Sequence, residues 1–381
     1  MKIRYVIYTT AAALFGIMLC IPGAIGVLHG PASDNSTFKP MPRAGLAVTS
    51  PTEFTTQFES WFNGSFSLRR QLIGWNSRLR LALFGESAVP DVCAGQHGWF
   101  YYTGESTMED YENISPYSEN ELVKIGKILE SRRIWLDAQG IKFFVVVVPN
   151  KQTIYPEYLP PSFHPIGKQS RLDQVARYLK AYPDLEFIDL REALGAAKRQ
   201  RPTFYMTDSH WNNWGAFIGY RALLQRVKKY FPAVDMPGED NYTVTTGFCT
   251  GRDLADMLML NNFLKDEFVE MAPHAGLQAV TGSRQYPDPA TRDDRTMVVK
   301  ETGNRRLPKA LVFRDSFGTA LIPFLAESFQ SSVYVWTFNF LPELIDKEKP
   351  NVVILECVER YINALEVPNP RDVDKKLPNT P

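Results

Sequence analysis

Residues Ile141 to Val148 are apolar almost throughout, and Pro149 closes the run. A segment of that length and composition predicts a strand buried on both faces, as in a parallel sheet covered by helices on each side. What surrounds it repeats the theme. Upstream, Ser118 and Glu121 form a capping-box pattern, Leu122, Ile125, Leu129 and Leu136 follow on one helical stripe, and Gly140 ends the helix. Downstream come a helix around Leu172 to Leu179, a stop at Pro183, a strand at Phe187 to Leu190 and a helix from Trp214 to Tyr230. The rhythm returns later with strands at Ala310 to Phe313, Ser332 to Trp336 and Val352 to Glu356, and helices around Thr319 to Ser328 and Pro342 to Lys347. This alternation predicts an α/β fold with an open, mostly parallel sheet flanked by helices. Between Phe231 and Pro308 the periodicity is weak, and the stretch is too long for an ordinary loop, so residues 231–308 are expected to be an insertion that shapes the site. A short strand or hairpin is expected in the Gly95 to Gly104 segment, where turn residues surround an aromatic run.

Lys2 and Arg4 precede an uncharged stretch from Tyr5 to Leu28. As a helix it would be roughly 36 Å long against a hydrocarbon core of about 30 Å, so it can span a membrane. The basic flank places the rest of the chain outside the cytoplasm. A cleaved signal peptide is the competing reading, but no clear A-x-A site follows. The expected organisation is an anchor over 1–29, a flexible spacer over 30–52 rich in Pro, Ser, Thr, Gly and Asn, and an extracytoplasmic domain over 53–381. Within that domain, one or two amphipathic helices are expected between Phe54 and Phe84.

Lys and Arg number 42, as do Asp and Glu, so no summed field exists to hold a phosphate backbone, and nucleic acid is not expected as a partner. Outside the anchor, Cys93, Cys249 and Cys357 lack C-x-x-C spacing, which argues against a zinc knot. The compartment permits Cys93 to pair with Cys249, while Cys357 reads as a buried thiol.

Ligands of open α/β sheets sit beyond the carboxyl ends of the strands. Two loops there carry chemistry. In Leu311-Val-Phe-Arg-Asp-Ser-Phe-Gly a buried strand enters a tight turn, which exposes Ser316 beside the N–H groups of the next helix. Helix capping by Asp315 and Ser316 is the plainer reading of the turn alone. In Met206-Thr-Asp-Ser-His-Trp-Asn-Asn-Trp-Gly, His210 can serve as the base that a serine hydroxyl needs, and Asp208 can fix its tautomer. No third ligand appears at metal-binding spacing, so no metal is expected. Secondary candidates are Asn150 as an oxyanion donor, Lys151 as a group that orients a substrate carboxylate or pairs with a nearby acid, and Arg314 beside the nucleophile. Glu359 and Arg360 read as a structural ion pair, and Trp99, Trp211 and Trp214 as packing residues.

Asp208-Ser-His-Trp-Asn-Asn-Trp-Gly followed by Arg314-Asp-Ser-Phe resembles the SGNH-hydrolase-like domain of the alginate O-acetyltransferases, the AlgJ- and AlgX-like group. The likeness extends through Gly98-Trp-Phe-Tyr-Tyr, through Val148-Pro-Asn-Lys-Gln-Thr-Ile-Tyr-Pro and into Glu356-Cys-Val-Glu-Arg-Tyr. In one departure, Arg314 stands where the common SGNH signature has glycine. The resemblance implies a periplasmic enzyme that acetylates hydroxyls of an exopolysaccharide or cell-wall polymer, with Asp208, His210 and Ser316 as its triad and no bound cofactor. It also implies a membrane-bound O-acyltransferase partner that supplies acetyl groups. An O-acetyl esterase with the same triad, and a non-catalytic scaffold of a polysaccharide modification or export complex, are the alternatives.

Overall fold

The computed structural model describes residues 8–10, 12–13, 16, 41–65, 69–282 and 297–368. Most of the expected anchor and of the expected spacer lie outside the described residues; among the described residues no helix is long and apolar enough to cross a membrane. The chain divides into two compact units, Met1–Ala88 with Leu258–Leu260, and Val89–Met257 with Asn261–Pro381. Residues 53–88, placed by the sequence reading with the main domain, thus fall in the smaller unit.

In the smaller unit, helix α1 (Pro51–Ser65) starts on a proline, whose missing N–H costs nothing in a first turn. Phe54, Phe58, Trp61 and Phe62 form a ladder of ring contacts along it. Helix α2 (Arg69–Phe84) follows. The two correspond to the amphipathic helices expected there.

The larger unit opens with a hairpin, β1 (Val92–Ala94) and β2 (Phe100–Tyr102), whose turn places His97 and Gly98 at positive φ. In α3 (Glu119–Asp137) the capping box closes as expected: the Ser118 N–H donates to Glu121 Oε2 at 2.7 Å, and the Glu121 N–H donates to Ser118 Oγ. Gly140, at φ +73°, ends that segment in a conformation that favours glycine. Next come β3 (Lys142–Val148), α4 (Arg171–Tyr178), β4 (Glu186–Asp189), α5 (Arg191–Ala197) and α6 (Asn213–Tyr230). The region from residue 231 to 308 holds an antiparallel hairpin, β5 (Tyr242–Thr250) and β6 (Lys265–Pro273), with the short helix α7 (Asp253–Met257) between its strands. It also supplies β7 (Val280–Thr281) and β8 (Met297–Glu301). Then follow β9 (Lys309–Arg314), α8 (Ile322–Ala326), β10 (Ser331–Trp336), α9 (Pro342–Glu348) and β11 (Val352–Val358).

The main sheet runs β4-β3-β11-β9-β10-β8-β7. The first five strands are parallel, and β8 and β7 add antiparallel pairs at one edge, so the sheet is mixed. Successive side chains of a strand point to opposite faces, and both faces are covered. Phe144, Val146 and Val148 pack with Phe217, Leu224 and Phe324 on one side, while Phe143, Val145 and Val147 pack with Ile125, Leu129 and Leu172 on the other. At about 1.5–3 kcal/mol for each fully buried large apolar side chain, these two layers hold the strand ends, and the loops beyond them, in place.

One expected element differs. The helix expected over Thr319 to Ser328 is a 3₁₀ turn (Phe317–Leu321) followed by α8. Pro323 explains the break, because a residue without an N–H fits an α-helix only in its first turn.

Candidate active site

Strands β3, β11 and β9 are parallel neighbours, so their carboxyl ends bring Asn150 and Lys151, Glu359 and Arg360, and Ser316 to the same edge of the sheet. The β11–β9 pairing ends at Leu355 opposite Phe313. Beyond it, side chains take over the backbone donors. Asp315 Oδ2 accepts from the Val358 N–H and Oδ1 from the Phe317 N–H, both at 2.8 Å, while the Asp315 N–H donates to Glu356 Oε2 at 3.2 Å. These bonds turn the chain sharply and leave Ser316 half-buried at the bend. Gly318 is required by close approach: a Cβ there would lie 2.7 Å from both Arg314 Cβ and Glu356 Oε2. The Phe317 N–H, the first after Ser316, is committed to Asp315.

The second loop is held from three sides. Asp266 accepts from the Met206 and Thr207 N–H groups and from Thr207 Oγ1. Lys151 Nζ donates to the carbonyls of Phe100, Met206 and Asp208 at 2.6, 2.7 and 3.0 Å. The Leu254 and Ala255 N–H groups donate to the Thr207 carbonyl. Trp211 then ties this loop to the serine turn, donating from Nε1 to the Phe317 carbonyl at 3.0 Å, and the Phe317 ring packs 4.8 Å from the imidazole of His210.

The outcome is a row. His210 Nδ1 lies 2.7 Å from Asp208 Oδ1, and His210 Nε2 lies 2.9 Å from Ser316 Oγ. Asp208 Oδ1 also accepts the His210 N–H at 3.0 Å, which fixes the carboxylate against the ring. In this arrangement Nδ1 carries the proton shared with Asp208, and Nε2 faces the serine hydroxyl.

Burial lowers the His210 pKa, but hydrogen bonds and charge from Asp208 and Asp253 outweigh it and push it up to about 9. Burial raises Asp208, against the lowering effect of its bond to His210. Asp253 is held well below the usual carboxylate range: its bonds to His210 and Ser209 overcome burial. Burial, and the Asp315 carboxylate beside it, raise Glu356 well above the usual carboxylate range.

Two of the secondary candidates, Arg314 and Lys151, are engaged by the protein itself. Arg314 is buried; its Nη1 donates to the Asp315 carbonyl and Thr319 Oγ1, and its guanidinium lies 4.8 Å over the Trp336 ring. Lys151 is buried among carbonyls rather than paired with an acid or facing a sugar. Burial pulls it down to about 7, with Asp266, Asp208 and Asp253 acting against that; its three carbonyl partners match the three hydrogens of the ammonium form. Asn150 is buried with its side-chain carbonyl unpartnered. Glu359 and Arg360 do not pair with each other: Glu359 accepts from the Asn150 N–H and Thr153 Oγ1, and Arg360 pairs with Glu105. Trp99, Trp211 and Trp214 are buried, as expected. Cys93, Cys249 and Cys357 are free thiols, so Cys93 and Cys249 are not joined; Cys357 is buried.

Asp253 is the site residue that sequence reasoning missed. It sits in Gly251-Arg-Asp-Leu-Ala-Asp, inside the weakly periodic region, and reaches the imidazole only through the tertiary fold, so no local spacing signals it. It also supplies the third ligand absent from the sequence spacing: ligand atoms of Asp208, His210 and Asp253 lie within 4.8 Å of one another. The bond between Nδ1 and Asp208 needs a proton where a cation would have to sit, so the set is arranged around a proton.

The profile of a family described as SGNH hydrolase-like domain, acetyltransferase AlgX, matches residues 92–289, just over half of the chain. The chain belongs to this family. The matched region contains Asp208, His210 and Asp253, and Ser316 lies beyond it. Among curated relatives, the probable alginate O-acetylase AlgJ of Azotobacter vinelandii is 24% identical over 317 residues, 80% of this chain and 78% of that protein. The AlgJ of Pseudomonas syringae pv. tomato is 28% identical over 209 residues, 54% of this chain; the match spans about half of that relative's length. Among solved structures, Bacillus cereus PatB1 with a sulfonyl adduct superposes with a TM-score of 0.53 at 18% identity, covering 73% of this chain and 97% of that one, which supports the family's fold.

Proposed function

We propose that this chain is an O-acetyltransferase that moves an acetyl group through Ser316 to hydroxyls of a bacterial exopolysaccharide or cell-wall polymer. The observation that carries the reading is the row from Asp208 through His210 to Ser316, with contacts of 2.7 and 2.9 Å. The names of the AlgJ relatives supply the acceptor class.

Neutral His210 takes the Ser316 proton on Nε2 as Oγ attacks the acetyl carbonyl of the donor ester. The tetrahedral oxyanion collapses, the donor's alcohol leaves with the proton from Nε2, and acetyl-Ser316 remains. A sugar hydroxyl then gives its proton to Nε2 and attacks the same carbonyl; Ser316 Oγ leaves and recovers the proton. Asp208 holds the ring orientation and stabilises the imidazolium at each step. Asn150, buried beyond the carboxyl end of β3, which β11 separates from β9, is the candidate side-chain donor to the oxyanion. Lys151 and Arg314 act from within the fold, on the loop that carries Asp208 and on the serine turn. The run from Tyr5 to Leu28 acts as a retained anchor that places the domain in the periplasm, where a membrane-bound O-acyltransferase delivers acetyl groups.

The His210 side chain is 30% exposed, so water reaches the base, and hydrolysis by the same triad is the competing outcome. Incubation with a chromogenic acetyl ester, with and without oligosaccharide, separates the two. Transfer predicts acetylated sugar, and an esterase gives only free acetate. Ser316→Ala is expected to reduce either reaction by at least about 10³-fold; turnover undiminished in that variant would refute the role of Ser316, and failure of a fluorophosphonate to label Ser316 in the folded protein would favour the scaffold.

A further inference from the structure

We propose that Asp253 is a positioning residue that shares the Nδ1 side of His210 with Asp208 and sets the pH at which the imidazole is free to accept the Ser316 proton. The inference rests on the acyl-transfer reading and adds a second carboxylate to it. Asp253 Oδ1 accepts from the N–H groups of Ser209 and Leu254 at 2.8 and 2.6 Å, so the carboxylate cannot swing away. Its Oδ2 accepts from Ser209 Oγ at 2.6 Å and lies 3.4 Å from His210 Nδ1. Ser209 has one hydroxyl proton. With that proton on Asp253, its oxygen turns lone pairs toward Nδ1 at 3.2 Å, so Ser209 bridges the second carboxylate to the ring. The segment is locked to the base loop independently, since the Arg252 N–H donates to Thr207 Oγ1 at 3.0 Å and the Leu254 N–H to the Thr207 carbonyl at 3.1 Å.

The charges around the imidazole come from several elements. Asp208 belongs to its own loop, Asp253 to α7 and Asp315 to the serine turn. Arg360 reaches in from the 3₁₀ segment after β11, with its guanidinium 5.2 Å over the Phe317 ring that packs on His210. Arg252 Nη1 lies 3.7 Å from Asp208 Oδ2, and Lys151 binds the Asp208 carbonyl. Both anions in reach of Nδ1 touch the ring directly or nearly so, while each cation acts through an intervening group. The balance favours the imidazolium, in line with the raised pKa of His210. Asp253 therefore keeps the base charged at rest, and only the neutral fraction attacks. Stronger basicity is obtained at the expense of that fraction near neutral pH.

The test is the pH profile of 4-nitrophenyl acetate turnover by the full chain in detergent, between about pH 6 and about pH 10, with Ser316→Ala subtracted at every pH. The wild type is expected to rise through an alkaline midpoint. Asp253→Asn retains acceptors for the Ser209 and Leu254 N–H groups but not the charge, so its midpoint should fall by on the order of one pH unit, with the rate at neutral pH rising several-fold relative to its own alkaline plateau. Asp253→Glu, which keeps the charge, should hold the alkaline midpoint. Asp253→Ser is measured alongside, so that a failure of one variant to fold leaves a readout. In contrast, Asp208→Asn should lose about 10²- to 10⁴-fold across the whole range. An unmoved midpoint in folded Asp253→Asn and Asp253→Ser would overturn the inference while leaving the triad standing. Undiminished turnover in Ser316→Ala would overturn the reading beneath it.

Discussion

Lys151 shows how a single buried residue can serve a site it does not face. Its ammonium group uses all three hydrogens on the carbonyls of Phe100, Met206 and Asp208, and Nζ lies 4.8 and 5.2 Å from the centroids of the Trp99 and Tyr101 rings. Replacing it with Met keeps the stem and removes the ammonium donor from three carbonyls, of which that of Met206 keeps the Phe100 N–H at 2.9 Å. The expected cost is about 2–4 kcal/mol of stability, read as a fall in the denaturant midpoint, and the loop carrying Asp208 and His210 should lose hydrogen-exchange protection more than the sheet does. A midpoint equal to the wild type would show that the carbonyls need no cation. At this scale the sequence was informative where a residue type and its immediate neighbours define a role. Ser316 stands in the turn after β9, Asp208 and His210 stand in the segment between α5 and α6, and the three meet in one row. Lys151, Asp253 and Asp266 act across the fold on backbone groups that no pattern in the sequence identifies.

The elements tell a similar story. Strands β3, β9 and β11 were legible because burial on both faces leaves them almost wholly apolar, with Glu356 the charged exception inside β11, and α3 because its cap and stripe agree. The hairpin of β5 and β6 was not, since one face meets solvent and its alternation of Thr with apolar residues looks like loop sequence. The element that matters most for the chemistry is the turn between β9 and α8, where the strands part and Asp315 and Glu356 take over. Gly318→Ala should destabilise this turn, because its Cβ would meet Arg314 Cβ and Glu356 Oε2 at 2.7 Å. We expect a loss of about 1–3 kcal/mol together with a fall in kcat larger than any change in KM, as Ser316 is displaced from His210. Full activity in that variant would mean that the turn tolerates a shift without moving the nucleophile.

For the molecule as a whole, the two core layers fix the sheet, the sheet aligns three strand ends, and the loops beyond them carry opposed charges that fold only as a set. Stability should therefore report on the site. The folded-state pKa of His210, about 9, lies above its ordinary value of 6.5. Its contribution is thus fully present below about pH 6.5 and is lost as pH rises through about 9. The difference in thermal midpoint between the wild type and His210→Gln should accordingly be largest on the acid side of neutrality and shrink through that alkaline window. A difference independent of pH would mean that the imidazole is not held as a cation.

The proposed acetyl transfer depends on Ser316 accepting an acyl group. The most direct measurement is mass spectrometry of the chain quenched in acid after mixing with an excess of an activated acetyl ester, followed by peptide mapping. One acetyl group on the peptide that contains Ser316, absent in Ser316→Ala and reduced in His210→Gln, is the predicted result. No acetylated peptide, or the same acetylation in Ser316→Ala, would contradict it.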